Sequence, residues 1–388
     1  MPVQWSPAHC GGAWVISGYD EVAGALRDPR FSVRRAARWI NSGLGEHADK
    51  PAHTAAQRRF KRIFSRSLLF LDGRAHRRLR SILHLGFKPA ALEHQRDAIA
   101  ALAGQLIADI LADDDARQGY DFVTRFARPL PALVIATLMG LPERVPDAFI
   151  GWAADLAGFI GSPTPDAAQT VAAQAALEAL CDYFEEVLRQ PQDLPPHCLL
   201  ADIVQARQRD ALTQVEVLAQ CSTLLFAGYE TTRNLLGNGL LALLRHPAQW
   251  TALKSQPQAL RGAVREMLRY DSPVQYTGRR LLADITLDGQ PLRRGDLAIL
   301  HIGQANHDAR RFSDPARFDI ARDQGMHLSF GQGAHVCLGA ALTQMEAEIA
   351  FTALMQAMPT LALSTEAPSW QPAGAYRALQ RLPLVFQE

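Results

Sequence analysis

The chain has 388 residues, of which 48% are apolar and 20% charged, and its net charge is +1. So even a balance excludes a nucleic-acid polyelectrolyte contact, which needs a strong basic excess, and leaves small molecules or other proteins as partners. No apolar run reaches the ~20 residues of a membrane span and the first residues lack a signal-peptide core, so no membrane is expected and the expected place is the cytoplasm.

In chain order, apolar residues recur at three and four in GYDEVAGALRDP (18–29), from Pro89 to about Asp113, in FVTRFARPLPALVIATLMGLP (122–142) and in TVAAQAALEALCDYFEEVLRQ (170–190). That period predicts helices through the first half. The turn-rich stretches GLGEHADKPAHT (43–54), SPTPD (162–166) and QPQDLPPH (190–197) read as loops. From Leu212 to Arg245 there is no proline, and at 1.5 Å per residue the helix would run roughly 50 Å, enough to cross the whole body. Midway, AGYETT sets Gly228, Glu230, Thr231 and Thr232 into an otherwise apolar course. A carboxylate there is costly if buried and unpaired, although the stretch taken alone also fits an exposed turn. Strands are expected between Gln275 and Gly303, where TLDGQPLRRGDLAIL folds about a D-G turn, and in the C-terminal YRALQRLPLVF. Together these elements predict one domain over 1–388, mainly α with small β-sheets.

Of the five cysteines, Cys10, Cys181, Cys198 and Cys221 have no framework spacing and read as reduced and structural. The fifth, Cys337, stands among glycines in FGQGAHVCLGA (330–340) with no second cysteine nearby. A thiol of ordinary pKa stays protonated in an apolar site, so an anionic sulfur here needs a metal or donors. The glycines at 331, 333 and 339 let backbone approach a flat ligand, and the helix beginning after the cysteine favours an anion at its N-terminus. Those are conditions for thiolate ligation of haem iron.

FGQGAHVCLG resembles the haem-binding loop of the cytochrome P-450 superfamily, F-x-x-G-x-[RH]-x-C-x-G. The resemblance extends in order over nearly the whole chain. It implies the cytochrome P-450 fold, a triangular prism with haem b held between the long I helix and the proximal cysteine loop. Cys337 would be the axial iron ligand, with Phe330, Gly333 and Gly339 around the cofactor. FLDGRAHRRLRSILHLGF (70–87) is similar to the family's C helix, and His76 and Arg80, four apart on one face, would meet the haem propionates with Arg279 and His335, Arg280 being an adjacent competitor. Glu266 and Arg269 match the E-x-x-R pair, and Arg317 in DPARFD would be its third member. AGYETT is similar to the oxygen-activating pattern A-G-x-[DE]-T, in which Glu230 would shuttle protons inward and the Thr231 hydroxyl would hold the water and hydroperoxide in place. Tyr229 either narrows the pocket or faces away. For the substrate pocket, the segments the family uses for selection (43–68, 149–164, 225–228, 274–277 and 373–376) nominate Leu225, Ala227, Gly228, Val274, Gln275, Tyr276 and Tyr376.

The activity so implied is an O2-dependent monooxygenase hydroxylating or epoxidising a hydrophobic small molecule, in the style of soluble bacterial enzymes that tailor polyketides, macrolides or terpenoids. A peroxide-driven peroxygenase would replace the acid and alcohol pair, and a non-catalytic haem-thiolate sensor would have no use for it. No flavin, nicotinamide or iron–sulfur motif follows the cysteine loop, so electrons from NAD(P)H are expected through external redox proteins, a ferredoxin and a ferredoxin reductase, to a monomer.

Overall fold

The computed structural model describes residues 1–7, 9, 11–34, 55–141, 148–162 and 164–386. Cys10, the predicted loop at 43–54 and the adjoining part of the first selection segment, and position 163 of the second, lie outside them.

The helices are α1 (Tyr19–Arg27), α2 (Ala55–Phe64), α3 (Gly73–Leu83), α4 (Arg96–Leu111), α5 (Pro129–Met139), α6 (Ala148–Gly161), α7 (Ala167–Val187), α8 (Leu199–Gln208), α9 (Gln214–Arg245), α10 (Pro247–Ser255), α11 (Leu260–Tyr270) and α12 (Ala340–Ala357). Two of the predicted spans are divided. The stretch from Pro89 forms one short turn, Pro89–Glu93, before α4 starts afresh. Residues 122–142 open with a π-helical turn at Val123–Ala127, and α5 restarts at Pro129, whose missing N–H costs nothing in a first turn.

The long helix α9 spans 32 residues, about 48 Å at 1.5 Å per residue. Its start is fixed by a capping box. The Thr213 hydroxyl accepts from the Glu216 amide, and the Glu216 carboxylate accepts from the Thr213 amide. α9 packs against α5, α6, α7, α11 and α12, so the main hydrophobic core forms around it.

A five-stranded sheet has the order β1 (Val3–Ser6), β2 (Ala13–Ile16), β8 (Leu297–Leu300), β5 (Thr277–Leu281), β3 (Phe31–Ser32), with only β2 and β8 parallel. It carries a second core of Ile16, Phe31, Leu281, Leu300 and Phe312. The β1–β2 hairpin was not signalled, since VQWS and AWVI are too short to show a period. The D-G turn joins β6 (Ile285–Leu287) to β7 (Gln290–Leu292), with Asp288 at φ 48° and Gly289 at φ 73°, the left-handed pair a tight hairpin needs. In the C-terminal stretch, Leu379–Arg381 pairs with Ser369–Trp370, and Pro383–Val385 with Tyr120–Asp121 and Ala362–Leu363. No helix of the described residues is long and apolar enough to cross a membrane.

Candidate functional site

A cavity of about 350 Å³ lies between the middle of α9 and the 330–339 loop, within the range of small-molecule sites. From α9 it takes a stripe of Gln220, Thr223, Leu224, Ala227, Gly228 and Thr231, spaced three and four apart, with Phe226 and Thr232 beside it. Gly228 is needed there for packing, because a Cβ would stand 2.9 Å from Ile135 on α5.

On the opposite wall Cys337 lines the cavity. Its amide donates to the Phe330 carbonyl at 2.8 Å, closing the loop beneath it. Burial pushes the thiol up, while the Gly339 amide and the Arg80 charge pull it down. Phe330 and Gly339 line the cavity as expected. A Cβ at Gly339 would meet only Phe87, at an ordinary 3.8 Å, so the protein itself does not demand glycine there and the space it leaves is on offer to a ligand. Gly333 differs from expectation. It does not line the cavity, and at φ 73° it sits against α1, where a Cβ would be 3.0 Å from both Arg27 Cα and the Leu26 carbonyl. It shapes the loop and does not touch what the loop holds.

His76, Arg80, Arg279 and His335 all line this cavity. His76 is buried on α3, its ring 4.1 Å from that of His335. Burial, then the charges of His335 and Arg80, push its pKa down to about 4. His335 Nε2 lies 3.2 Å from Asp72 Oδ1. Burial pushes that carboxyl up, but His335, Ser32 and the Val33 amide outweigh it and bring it to about 2. Arg279, from β5, is buried and donates to Thr277 Oγ1 and the Gly278 carbonyl, whereas Arg280 turns to the Gly295 carbonyl and does not line the cavity. Two guanidiniums and two imidazoles around one thiol, in an otherwise apolar chamber, form a donor set suited to a flat, anionic, metal-bearing group.

Thr231 faces the cavity, with its hydroxyl donating back to the Ala227 carbonyl at 3.2 Å. Glu230 does not. One residue is 100° of helix, and that rotation carries its carboxylate behind α9, where it is 2% exposed. There Arg233 Nη1 donates to both its oxygens at 3.0 and 3.1 Å, Asn234 Nδ2 donates at 3.2 Å, and Arg233 Nη2 is tied to the Leu379 carbonyl. Burial pushes this carboxyl up against the pull of Arg233 and Asn234. As placed, it delivers nothing inward. Tyr229 is likewise turned into the protein and leaves the cavity wall.

Ala227, Gly228, Val274, Tyr276 and Tyr376 line the cavity, but Leu225 and Gln275 do not. Leu225 falls on the far face of α9 in the core, and Leu224 and Phe226 take the wall in its place. The Gln275 side chain donates to the Ser272 carbonyl at 2.7 Å and fills the space over Gly303.

The E-x-x-R pair forms as expected, with Arg269 Nε and Nη2 on the Glu266 oxygens at 2.7 and 2.8 Å, both side chains 2% exposed. Its third member is Arg322, whose Nε donates to Glu266 at 3.2 Å, and not Arg317. Arg317 points outward onto Asp319 and contributes only its carbonyl, which accepts from Arg269 and Arg322. The two arginines of RFDIAR stand five positions apart, and no periodicity ranks one over the other. The Arg233–Asn234 clamp was also missed, although its i, i+3 and i, i+4 spacing from Glu230 is readable.

A family model described as Cytochrome P450 matches residues 161–256 and 255–368. The biotin biosynthesis cytochrome P450 of Bacillus subtilis (strain 168) is 34% identical over 96% of this chain and 90% of its own. Cytochrome P450 monooxygenase PikC of Streptomyces venezuelae is 35% identical over 96% and 85%. Among solved structures, P450BioI in complex with an acyl carrier protein ligated to hexadec-9Z-enoic acid superimposes with a TM-score of 0.89 at 32% identity, covering 100% of this chain and 95% of that one. The tirandamycin C-bound monooxygenase TamI gives 0.82 at 31%, covering 100% and 94%.

Proposed function

This chain belongs to the cytochrome P450 family and is a monooxygenase, and from that premise we propose that it oxidises a hydrophobic natural product of polyketide, macrolide or terpenoid type. The observation that carries this reading is one cavity joining the Cys337 sulfur, the Thr231 hydroxyl and an apolar wall of Val134, Ile135, Leu224, Phe226 and Tyr376.

In this reading Cys337 would hold the haem iron through its sulfur, and His76, Arg80, Arg279 and His335 would meet its propionates. Phe330 and Gly339 line the cofactor's place in the loop. The haem, when bound, supplies O2 activation and the oxidant. The chain does the rest. The Gly339 amide and Arg80 stabilise negative charge on the sulfur. The apolar wall would exclude water and orient the substrate toward Thr231, whose hydroxyl would hold and pass on a proton within the cavity. Glu230 serves this step by leaving its Arg233 clamp.

Electrons come from NAD(P)H through a ferredoxin and its reductase to a monomer in the cytoplasm. The exposed Arg77 on α3 supports docking of an acidic partner beside the cavity's cationic edge, while Arg78 is engaged with Glu216. A substrate library read by the shift of the haem Soret band, with mass spectrometry of the turnover product, tests the substrate class. Binding of polyketides, macrolides or terpenoids with oxygenated products is expected, and binding confined to small hydrophilic compounds would refute it.

A further inference from the structure

A second, smaller pocket adjoins the main cavity between α2, α6, α7 and α9. It measures about 20 Å³, a little more than the roughly 10–15 Å³ that one water-sized group needs. Leu69, Phe70, Ile160, Thr223 and Phe226 line both spaces, so these five residues are the partition between the annex and the main cavity. The backbone of that partition is fixed. Gln220 Nε2 donates to the Arg66 carbonyl at 2.7 Å and its Oε1 accepts from the Leu68 amide at 2.9 Å, so a fully buried amide clips the 66–70 turn to α9. Leu69, at the tip of the turn, is 40% exposed, and an exposed side chain changes rotamer on the picosecond-to-nanosecond scale. The partition can therefore open by a side-chain movement while its backbone stays in place.

Three hydroxyl residues line the annex. Ser222, next to Thr223 on α9, is 2% exposed, and its Oγ has no hydrogen-bond partner of ordinary geometry among the described residues. The group it leans on is the Cys181 thiol, a weak partner. Ser67, equally buried, accepts from the Leu69 amide, which leaves its own O–H to donate. Thr223 gives its O–H to the Ala219 carbonyl at 2.6 Å and keeps lone pairs to accept. An unpaired buried hydroxyl is destabilising, so a residue needed at 222 for packing alone would serve better as alanine. The rest of the annex is carbon, and none of its lining residues carries a charge. Two donors and an acceptor with no charge opposite fit a neutral oxygen, a hydroxyl or a carbonyl. A carboxylate or an ammonium there would be buried and unpaired.

We propose that this annex is a specificity subsite for one neutral oxygen of the substrate, received by the Ser222 hydroxyl with Ser67 and Thr223 beside it. The proposal rests on the monooxygenase reading and narrows its substrate. The apolar body lies in the main cavity, and a hydroxyl or ketone stands on the part between α2 and α9. Neither Cys337 nor Thr231 lines the annex, so that oxygen is remote from the carbon that is oxidised. A hydrocarbon end must stop short of the partition or leave the Ser222 hydroxyl against carbon. Discrimination follows because the protein's own buried hydroxyl stays unpaired when the substrate's oxygen is missing. Ser222 selects and orients, and it takes no part in the oxidation.

The test reads binding, not turnover. A 1-alkylimidazole ligates haem iron through its free ring nitrogen, so its tail probes the cavity from a fixed point. A series of stepped tail length, ending in methyl, hydroxyl or carboxylate, is titrated into the haem-loaded protein by the Soret shift. At one length the hydroxyl probe should bind on the order of tenfold tighter than its methyl twin, and the carboxylate probe should show no such gain. Ser222→Ala should abolish that preference while the methyl probe keeps its affinity. Ala219→Val, which fills the annex from α9, should abolish it too. The urea midpoint separates the subsite from a structural role. Without ligand, Ser222→Ala should be at least as stable as the parent, because it removes an unpaired hydroxyl, whereas loss of a structural hydrogen bond would lower the midpoint. No hydroxyl preference at any length, an equal gain by the carboxylate, a preference that survives either substitution, or a lowered midpoint in Ser222→Ala overturns the subsite and leaves the monooxygenase reading standing. A wild type without thiolate-type spectra would overturn that reading itself, and the subsite with it.

Discussion

Replacing Arg322 by alanine tests the placement of the Glu266 cluster. Glu266 is 2% exposed and receives Arg269 through two contacts, Arg322 through one, and the Asp319 amide at 3.0 Å. The same guanidinium also holds the carbonyls of Ser313, Asp314 and Arg317 and the side chain of Gln324. Breaking a buried ion pair by removing one partner costs about 3–5 kcal/mol. Because Arg269 stays on Glu266, the electrostatic loss lies below that range, but each carbonyl left behind adds up to about 1 kcal/mol, so about 3 kcal/mol in total is expected for Arg322→Ala. Arg322→Lys keeps the charge without the fork and should fall between the two. Arg317→Ala removes only an exposed contact to Asp319 and should leave stability unresolved from the parent. The assay is the urea midpoint at constant slope, run beside haem retention at the same temperature. Equal destabilisation by Arg317→Ala and Arg322→Ala would refute the assignment.

Thr231→Ala should keep substrate binding and reduction but divert reducing equivalents to hydrogen peroxide, with product formation down on the order of 10² to 10³, measured as the product-to-peroxide ratio; a fully coupled variant would show that this hydroxyl is not used. Leu225→Ala should cost about 2–5 kcal/mol as a core cavity while substrate titrations stay unchanged, whereas Leu224→Ala, on the wall, should change which substrates bind. His327 is 7% exposed, and burial, then Arg265 and Arg269, push its pKa from the ordinary 6.5 down to about 4. Between those values the unfolded chain holds the extra proton, so stability falls as pH drops from 6.5 to 4 and levels off below; His327→Gln should flatten that slope in urea titrations.

The cysteine loop was legible because it is local, with His335 two residues from the thiol and, on α3, His76 and Arg80 sharing a face; Arg279, far away in the chain, came only through the family resemblance. The helices were legible where apolar period and length agreed, as in α7 and α9. What failed was direction. Glu230 and Leu225 stand in the right segment, but a rotation of 100° per residue decides which neighbour meets the cavity, and only packing against α5 and Leu379 sets that phase. Arg317 and Gln275 failed for a related reason. Both lie in irregular segments, where a side chain's bearing follows from turns and carbonyl positions that leave no periodic trace.

The most direct test of the account is the spectrum of the reduced, haem-loaded protein under carbon monoxide. With Cys337 as the axial ligand, the wild type should show the red-shifted Soret band of a thiolate, and Cys337→Ser should lose it while the cavity still retains haem through His76, Arg80, Arg279 and His335. A Soret band that stays thiolate-like in Cys337→Ser would contradict the account at its centre.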